Sequence, residues 1–458
     1  MTKKYRIRIA QEHFDALHRH LFPGDNDEHG AVLLAGISQT NRQLTLLVRE
    51  LHLAVDGVDY TDGKIGYRAL HPKFIHRLIT RARDEKLVYL AVHNHFGDYQ
   101  VDFSQIDLDS HERGYPALLQ ISRGLPVGAL VFGRRSVAAD VWVSRTLRTK
   151  VDDFVVVGRT IQRLRSNPES DSAGNFVIHD RQIRMFGKSG QLQLSQTEVA
   201  VIGLGGLGSL VAEYLARLGI GRFILVDSDA VEESNLSRIV GATAADARKG
   251  TLKVKVAKRL IQGANKNAKV TLIPDDVAKE SVARKLVDCD YLFLAADSMR
   301  ARLVFNALVH QYLIPGVQLG SKIRQDPDGT LADVMSANRP VRPGYGCLWC
   351  NQLIDPTALA KEAKSDEERK AQEYGVEEPN PSVISLNAIA AAHGVNDFLL
   401  DDLGMRTNAE PVLYEHFHCL SRKRDLVQPR RDPSCSECSY QGSRFGRGDL
   451  IELPCING

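Results

Sequence analysis

The apolar and polar positions fall into two blocks. In the first, Ala31–Ser38 and Leu44–Leu53 are apolar runs of strand length. Pro72–Lys86 alternates apolar and basic residues at helical spacing, and Leu87–Val92 is a buried strand. Ala117–Ser122, Val127–Phe132 and Ala139–Val143 are expected as short strands. This is the pattern of a mixed α/β domain.

In the second block Glu198–Ile202 is an apolar strand that runs into the glycine-rich Gly203–Gly208. Leu210–Leu218 predicts an amphipathic helix, with Leu210, Val211, Tyr214, Leu215 and Leu218 on one face. Phe223–Val226, Val270–Ile273 and Tyr291–Ala295 are further strands. Strands alternating with helices predict a mostly parallel, doubly wound sheet. Between the blocks Arg165–Asn175 is polar and rich in Ser, Asn, Gly and Pro, a linker. The expected division is residues 1–150, a linker over 151–175, and 176–458.

A chain of 458 residues is too long for one ordinary core, which agrees with two domains. The net charge of +3 gives no electrostatic case for nucleic acid. The polar N-terminus and the lack of a long apolar run predict a cytoplasmic protein with no membrane partner.

The run Gly203–Ser209 joins a strand to a helix, where glycines let the backbone approach a phosphate and the helix terminus supplies N–H donors. Asp227 closes the next strand, placed to accept hydrogen bonds from ribose hydroxyls. A nicotinamide-dependent oxidoreductase shares this much. The neighbours differ: Arg181, Arg238, Lys253 and Asp297, with Arg302 and Asn306 after it, suit a triphosphate and its Mg²⁺.

The ordered set RQIRMFG, GLGGLG, VDSDAVEESNLSR, a lysine after Gly-Thr and the late Asp297 resembles the ThiF/MoeB branch of ubiquitin-activating enzymes over about Phe176–Cys438. The resemblance implies a Rossmann-like adenylation domain using ATP and Mg²⁺. The loop is Gly203, Gly205, Gly206 and Gly208. Asp227 binds ribose, Asn235, Arg238 and Lys253 contact phosphates, and Asp297 holds Mg²⁺. It further implies that Arg181 reaches the nucleotide of a second subunit in a homodimer.

Of seven cysteines, Cys347, Cys350, Cys435 and Cys438 form two C-x-x-C pairs, which together make a tetrahedral structural Zn²⁺ site. Cys289 belongs to an apolar core. No cysteine lies between Asn351 and Asn396, where the family commonly carries a thioester-forming thiol; Ala358–Gly375 is charged and helical in pattern instead. Cys419 and Cys455 are the spare downstream thiols, so the acceptor is either one of these or a thiol, sulfur donor or amine outside the chain.

In the first block His93 and His95 end a strand, where alternation turns both to one metal; Asp107 supplies a third ligand and Glu28 a general base. The upstream glutamate, H-x-H and S-x-x-D resemble the JAB/JAMM (MPN) metallopeptidases. That resemblance implies a catalytic Zn²⁺ on His93, His95 and Asp107, with Ser104 stabilising an oxyanion. Against the family pattern, Phe96 replaces a common proline and the spacer is one residue longer. Ser104 also reads as a helix cap, and Glu50 is a rival glutamate inside a strand.

Together the two resemblances imply an enzyme that adenylates the C-terminal glycine of a ubiquitin-like protein and processes or removes that protein. The expected setting is a bacterial ubiquitin-like conjugation pathway, such as antiviral defence, with a conjugating enzyme as a further partner. The alternative is activation of a sulfur-carrier protein in cofactor or amino-acid biosynthesis.

Overall fold

The computed structural model describes residues 3–61, 68–167, 177–363, 381–406 and 411–456, and divides the chain into two compact units. The first is built on nine strands: β1 (Lys4–Ala10), β2 (Gly30–Gln39), β3 (Gln43–Leu53), β4 (Val88–Asn94), β5 (Val127–Phe132), β6 (Val137–Trp142), β7 (Arg148–Lys150), β8 (Asp153–Val157) and β9 (Ile161–Leu164). They form one mixed sheet in the order β7-β6-β5-β4-β2-β3-β1-β8-β9.

Strand alternation gives this sheet two apolar faces. Leu33, Leu46 and Val48 pack with Phe14, Leu17 and Leu21 of the helix Gln11–Leu21. On the other face Val32, Leu34 and Tyr89 pack with Phe74, Leu78 and Ile79 of the helix Pro72–Asp84 and with Tyr115 and Leu119 of the helix Gln105–Ile121. The buried β4 therefore ends in the middle of a sheet covered on both sides.

Two expectations are corrected here. Ala117–Ser122 is not a strand: Gln105–Ile121 is a single helix that continues through Pro116, because Tyr115 and Leu119 are buried against the sheet at helical spacing. The linker expected from residue 151 is occupied by β8 and β9; β8 runs parallel to β1, with Phe154 and Val156 in the core. Residues 168–175 of that stretch lie outside the described residues.

The first unit also contains later segments, Gln311–Leu313 and Tyr440–Glu452, which the division at 150 and 176 did not foresee. Their backbone carbonyls accept hydrogen bonds from buried arginines. Arg8 Nη1 donates to Tyr312 O at 3.0 Å, and Arg49 donates to Phe445 O at 2.5 Å and Gly442 O at 2.9 Å.

The second unit carries β10 (Glu198–Ile202), β11 (Arg222–Val226), β12 (Lys269–Ile273), β13 (Tyr291–Leu294), β14 (Gly316–Gln325), β15 (Leu331–Val341), β16 (Tyr414–His418) and β17 (Lys423–Val427). Strands β12-β11-β10-β13-β14 are parallel, and β15, β16 and β17 continue the sheet antiparallel. The helix Gly206–Leu218 packs against the helices Lys253–Ala264 and Ile384–Asp402. Arg342 is fully buried and paired through its Nη atoms, which reach Asp401 Oδ2 and the Tyr291 hydroxyl at 3.1 Å and Gly316 O at 2.6 Å. Among the described residues no helix is long and apolar enough to cross a membrane. Of the helical pattern expected at Ala358–Gly375, the helix Pro356–Glu362 covers the start; residues 364–375 lie outside the described residues.

Candidate functional site

The nucleotide candidates lie at the C-terminal ends of the parallel strands. Val226, Ile202 and Leu294 are in register, so Asp227, the glycine loop and the segment leading to Asp297 leave the sheet side by side. Gly203 has φ +88°, and a methyl group on Gly208 would lie 1.8 Å from Gly203 O, so this turn needs glycine at both positions. Nothing lies within 4 Å of the corresponding methyl position on Gly205, which faces open space.

Asp227 ties the site together. Its Oδ2 accepts from Leu204 N at 2.6 Å and its Oδ1 from Asp229 N at 2.9 Å. Burial raises its pKa, against the pull of Lys253. Lys253 Nζ pairs with Asp229 Oδ2 at 2.7 Å. Asn235 closes a short capping box with Glu232, and Arg238 donates to Ser234 O at 2.9 Å. The Arg238 side chain passes over Gly206, where a methyl group would sit 3.1 Å from its Cβ.

Asp297 is exposed beyond β13, within electrostatic reach of Arg302. Asn306 turns elsewhere: its Oδ1 accepts from Leu348 N at 2.9 Å, between Cys347 and Cys350. Arg181 is exposed on the helix Asp180–Gln196, and among the described residues no hydrogen bond or ion pair joins it to the others.

The four C-x-x-C thiols converge. Cys347 Sγ lies 3.5 Å from Cys350 Sγ and 3.8 Å from Cys435 Sγ, and Cys350 Sγ lies 3.6 Å from Cys438 Sγ. Zn–S bonds of 2.3 Å in a tetrahedron demand S···S separations of about 3.8 Å, so the thiols fit a zinc ion. Cys289 is buried, as expected. Burial, aided by the negative charge of Asp333, pushes the Cys419 thiol up, the opposite of an activated nucleophile.

The first unit holds a second convergence. His93 and His95 lie on one side at the end of β4, and Asp107 comes from the first turn of the helix Gln105–Ile121. His93 Nε2 is 3.3 Å from His95 Nε2 and 3.4 Å from Asp107 Oδ1; His95 Nε2 is 3.4 Å from Asp107 Oδ2. Ligand bonds near 2.1 Å around a tetrahedral zinc require edges of about 3.4 Å, so this triad also fits.

Glu28 Oε1 is 3.9 Å from His95 Nε2, and burial raises the Glu28 carboxyl above the usual range. Ser104 is the helix N-cap: its Oγ donates to Asp107 Oδ2 at 2.7 Å and accepts from Asp107 N at 3.2 Å, so it fixes Asp107 directly. The rival Glu50 is engaged by Arg81 at 2.7 and 3.0 Å and by His52 at 3.0 Å.

Asn94 was not singled out. Between the two histidines it points to the other side of β4, where its Oδ1 accepts from His29 N at 2.6 Å. Its place inside H-x-H was the available signal. Arg339 and Gln318 on the second sheet carry no sequence signal, since only strand register brings them to the edge that holds the nucleotide candidates.

Comparison with known proteins agrees with this layout. Residues 179–437, more than half the chain, match the model of the ThiF family. The chain is similar to the molybdopterin-synthase adenylyltransferase of Escherichia coli (strain K12), 29% identical over 57% of this chain and 96% of that protein. It is similar to the sulfur carrier protein adenylyltransferase of Thermus thermophilus, 28% identical over 59% of this chain and 92% of that protein. It also resembles the SAMP-activating enzyme E1 of Haloferax volcanii, 35% identical over 26% of this chain and 44% of that protein. With the glycine loop, Asp227, Arg238, Lys253 and Asp297 gathered at one sheet edge inside the matched region, the chain belongs to the ThiF family.

Proposed function

We propose that this chain adenylates the C-terminal carboxyl of a ubiquitin-like or sulfur-carrier protein ending in glycine. The observation that carries the reading is the register Val226–Ile202–Leu294, which brings ribose-binding, phosphate-cradling and metal-holding candidates to one edge within the ThiF match. In the proposed step a carboxylate oxygen of the partner attacks the α-phosphorus of ATP. The bond to the bridging oxygen breaks, giving an acyl-adenylate and pyrophosphate.

Asp227 accepts the ribose hydroxyls. Asn235, Arg238 and Lys253 orient and neutralise the phosphates, Lys253 exchanging Asp229 for them. Asp297 would hold Mg²⁺, which supplies further charge neutralisation. In a homodimer the partner subunit's Arg181 completes the cluster. Cys419, with its raised pKa, favours direct transfer of the acyl group to an external thiol, sulfur donor or amine. Cys347, Cys350, Cys435 and Cys438 would hold a structural zinc.

The first unit is proposed as a JAB/JAMM-like zinc peptidase acting beside the same terminal glycine. What supports this is the edge length of the His93–His95–Asp107 triangle with Glu28 beside it. Zinc there would supply Lewis acidity toward water and the scissile carbonyl. Glu28, raised by burial, takes a proton from water and returns it to the leaving amine. Ser104 holds Asp107 in place, and its hydroxyl, turned away from Asp107, would be free to donate to an oxyanion.

Such a pair of activities fits a bacterial ubiquitin-like conjugation pathway, of which antiviral defence is one setting, with a conjugating enzyme taking the activated chain. The test is exchange of pyrophosphate into ATP by the full chain with candidate proteins ending in glycine. Exchange that requires both the partner and Asp297 is expected. Failure of the full chain to bind ATP would overturn the reading.

A further inference from the structure

Arg339 on β15 and Arg302 on the helix Met299–Gln311 lie within electrostatic reach of one another, and all their hydrogen-bond partners are neutral. Arg339 Nη1 donates to Gln318 Oε1 at 2.7 Å and its Nε to His416 Nε2 at 3.2 Å. Arg302 Nη1 donates to Leu353 O at 2.8 Å, and its Nε is buried with no hydrogen-bond partner. Among the described residues neither makes an ion pair; Asp297 and Glu362 act on Arg302 at longer range, and no carboxylate acts on Arg339. Burial, reinforced by Arg302, draws the Arg339 guanidinium down to about 10. Two desolvated cations side by side are costly unless an anion meets them. Arg342, which is fully buried, has its aspartate, and the buried Arg49 has the carbonyls of Gly442 and Phe445.

Strand register says where that anion comes from. One row crosses the sheet through Val226, Ile202, Leu294, Gln318 and Arg339. Its first three members immediately precede Asp227, the glycine loop and the segment ending at Asp297. Arg339 stands two strands beyond Leu294, about 10 Å at ordinary strand spacing. An extended chain covers that distance in about three residues.

The geometry points to Arg339, with Arg302 behind it, as the receptor for an acidic side chain in the tail of the activated protein, about three residues before its terminal carboxyl. This deepens the adenylation reading and rests on it. A tail laid along the strand ends, its carboxylate at the nucleotide, would bring such a side chain to Arg339. Its carboxylate would replace the missing counter-ion, while Gln318 and His416 hold the guanidinium in place.

The test uses the full chain with Mg²⁺ and a non-hydrolysable ATP analogue. Fluorescein-labelled decapeptides ending in Gly-Gly carry Glu, Gln or Lys at the third or fourth position from the end, and binding is read by fluorescence polarisation. A Glu peptide is expected to bind about ten- to a hundredfold more tightly than its Gln counterpart. Arg339→Gln removes that preference, Arg339→Lys keeps part of it, and Arg339→Glu turns it toward the Lys peptide. Thermal unfolding of each variant shows that it is folded.

Equal binding of Glu and Gln peptides, a preference that survives Arg339→Gln, or no peptide binding overturns the assignment. So does a loss of ATP affinity in Arg339→Gln, which would give the arginine to the phosphates instead. ATP binding by the unmodified chain separates the two levels. If ATP binds and no charge preference appears, only the tail assignment falls; if ATP does not bind, the adenylation reading falls first.

Discussion

The side-chain oxygen of Asn94 accepts a hydrogen bond from the backbone N–H of His29 at 2.6 Å, tying the residue after Glu28 to the strand that carries His93 and His95. One asparagine thus registers the proposed base against the proposed metal ligands. Asn94→Ala is expected to lower cleavage of a Gly-Gly-linked fusion protein about ten- to a hundredfold while zinc content stays unchanged. Glu28→Gln should lower it by about a hundredfold or more, also with zinc retained. Zinc loss in Asn94→Ala would instead make Asn94 a support of the ligands themselves.

Metal stoichiometry separates the two convergent clusters. The full chain is expected to carry two zinc ions by atomic emission. His93→Ala should leave one ion and a melting temperature within a few degrees of the parent. Cys435→Ser should also leave one, but with marked loss of stability, because a closed four-thiolate site contributes folding energy outright. A single zinc in the unmodified chain would remove one of the two sites.

Glycines in the nucleotide loop should respond in opposite ways. A methyl group on Gly208 meets Gly203 O at 1.8 Å, so Gly208→Ala must displace backbone and lower the melting temperature. Gly205 has open space around that position. Gly205→Ala should leave stability nearly unchanged and weaken ATP binding about tenfold or more, because the added methyl stands where phosphate approaches. Equal ATP affinity in Gly205→Ala, measured calorimetrically, would place the phosphates elsewhere.

Glu50 provides the pH test. Burial raises its pKa, but hydrogen bonds from His52 and Arg81 outweigh burial and bring it to about 2. A carboxyl depressed on folding contributes stability that is fully present above its unfolded pKa and lost as pH falls through the folded value. Glu50→Gln is therefore expected to be less stable than the parent by about 1–2 kcal/mol at neutral pH, since Arg81 is half exposed and solvent screens it. That difference should shrink between about pH 4.5 and 2, read by denaturant unfolding across the range. A difference independent of pH would assign Glu50 a packing role.

Legibility in the sequence followed locality. Strands β2, β3, β5, β10 and β11 were readable because their apolar runs sit in sheets covered on both faces. His93, His95 and Asp107 were readable as a set because strand alternation and a helix N-terminus fix their directions locally. Ala117–Ser122 misled because a short apolar run after Pro116 fits strand and helix alike, and only burial of Tyr115 and Leu119 decides between them. Asn94 and Arg339 were hidden for a different reason. Each acts through partners dozens of positions or more away in sequence, His29 for one and the row from Val226 to Gln318 for the other.

The carbonyls of Gly442 and Phe445 that receive Arg49 also set a timetable. A ribosome that has finished β9 has made every strand of the first sheet, yet the segment Tyr440–Glu452 of that unit does not exist for roughly another 10–60 s at ordinary elongation rates. Throughout that interval Arg49 lacks its acceptors in the nascent unit. The unit that begins to emerge first thus waits for almost the whole chain before it is complete, and a message cut short anywhere before Tyr440 yields no finished copy of it.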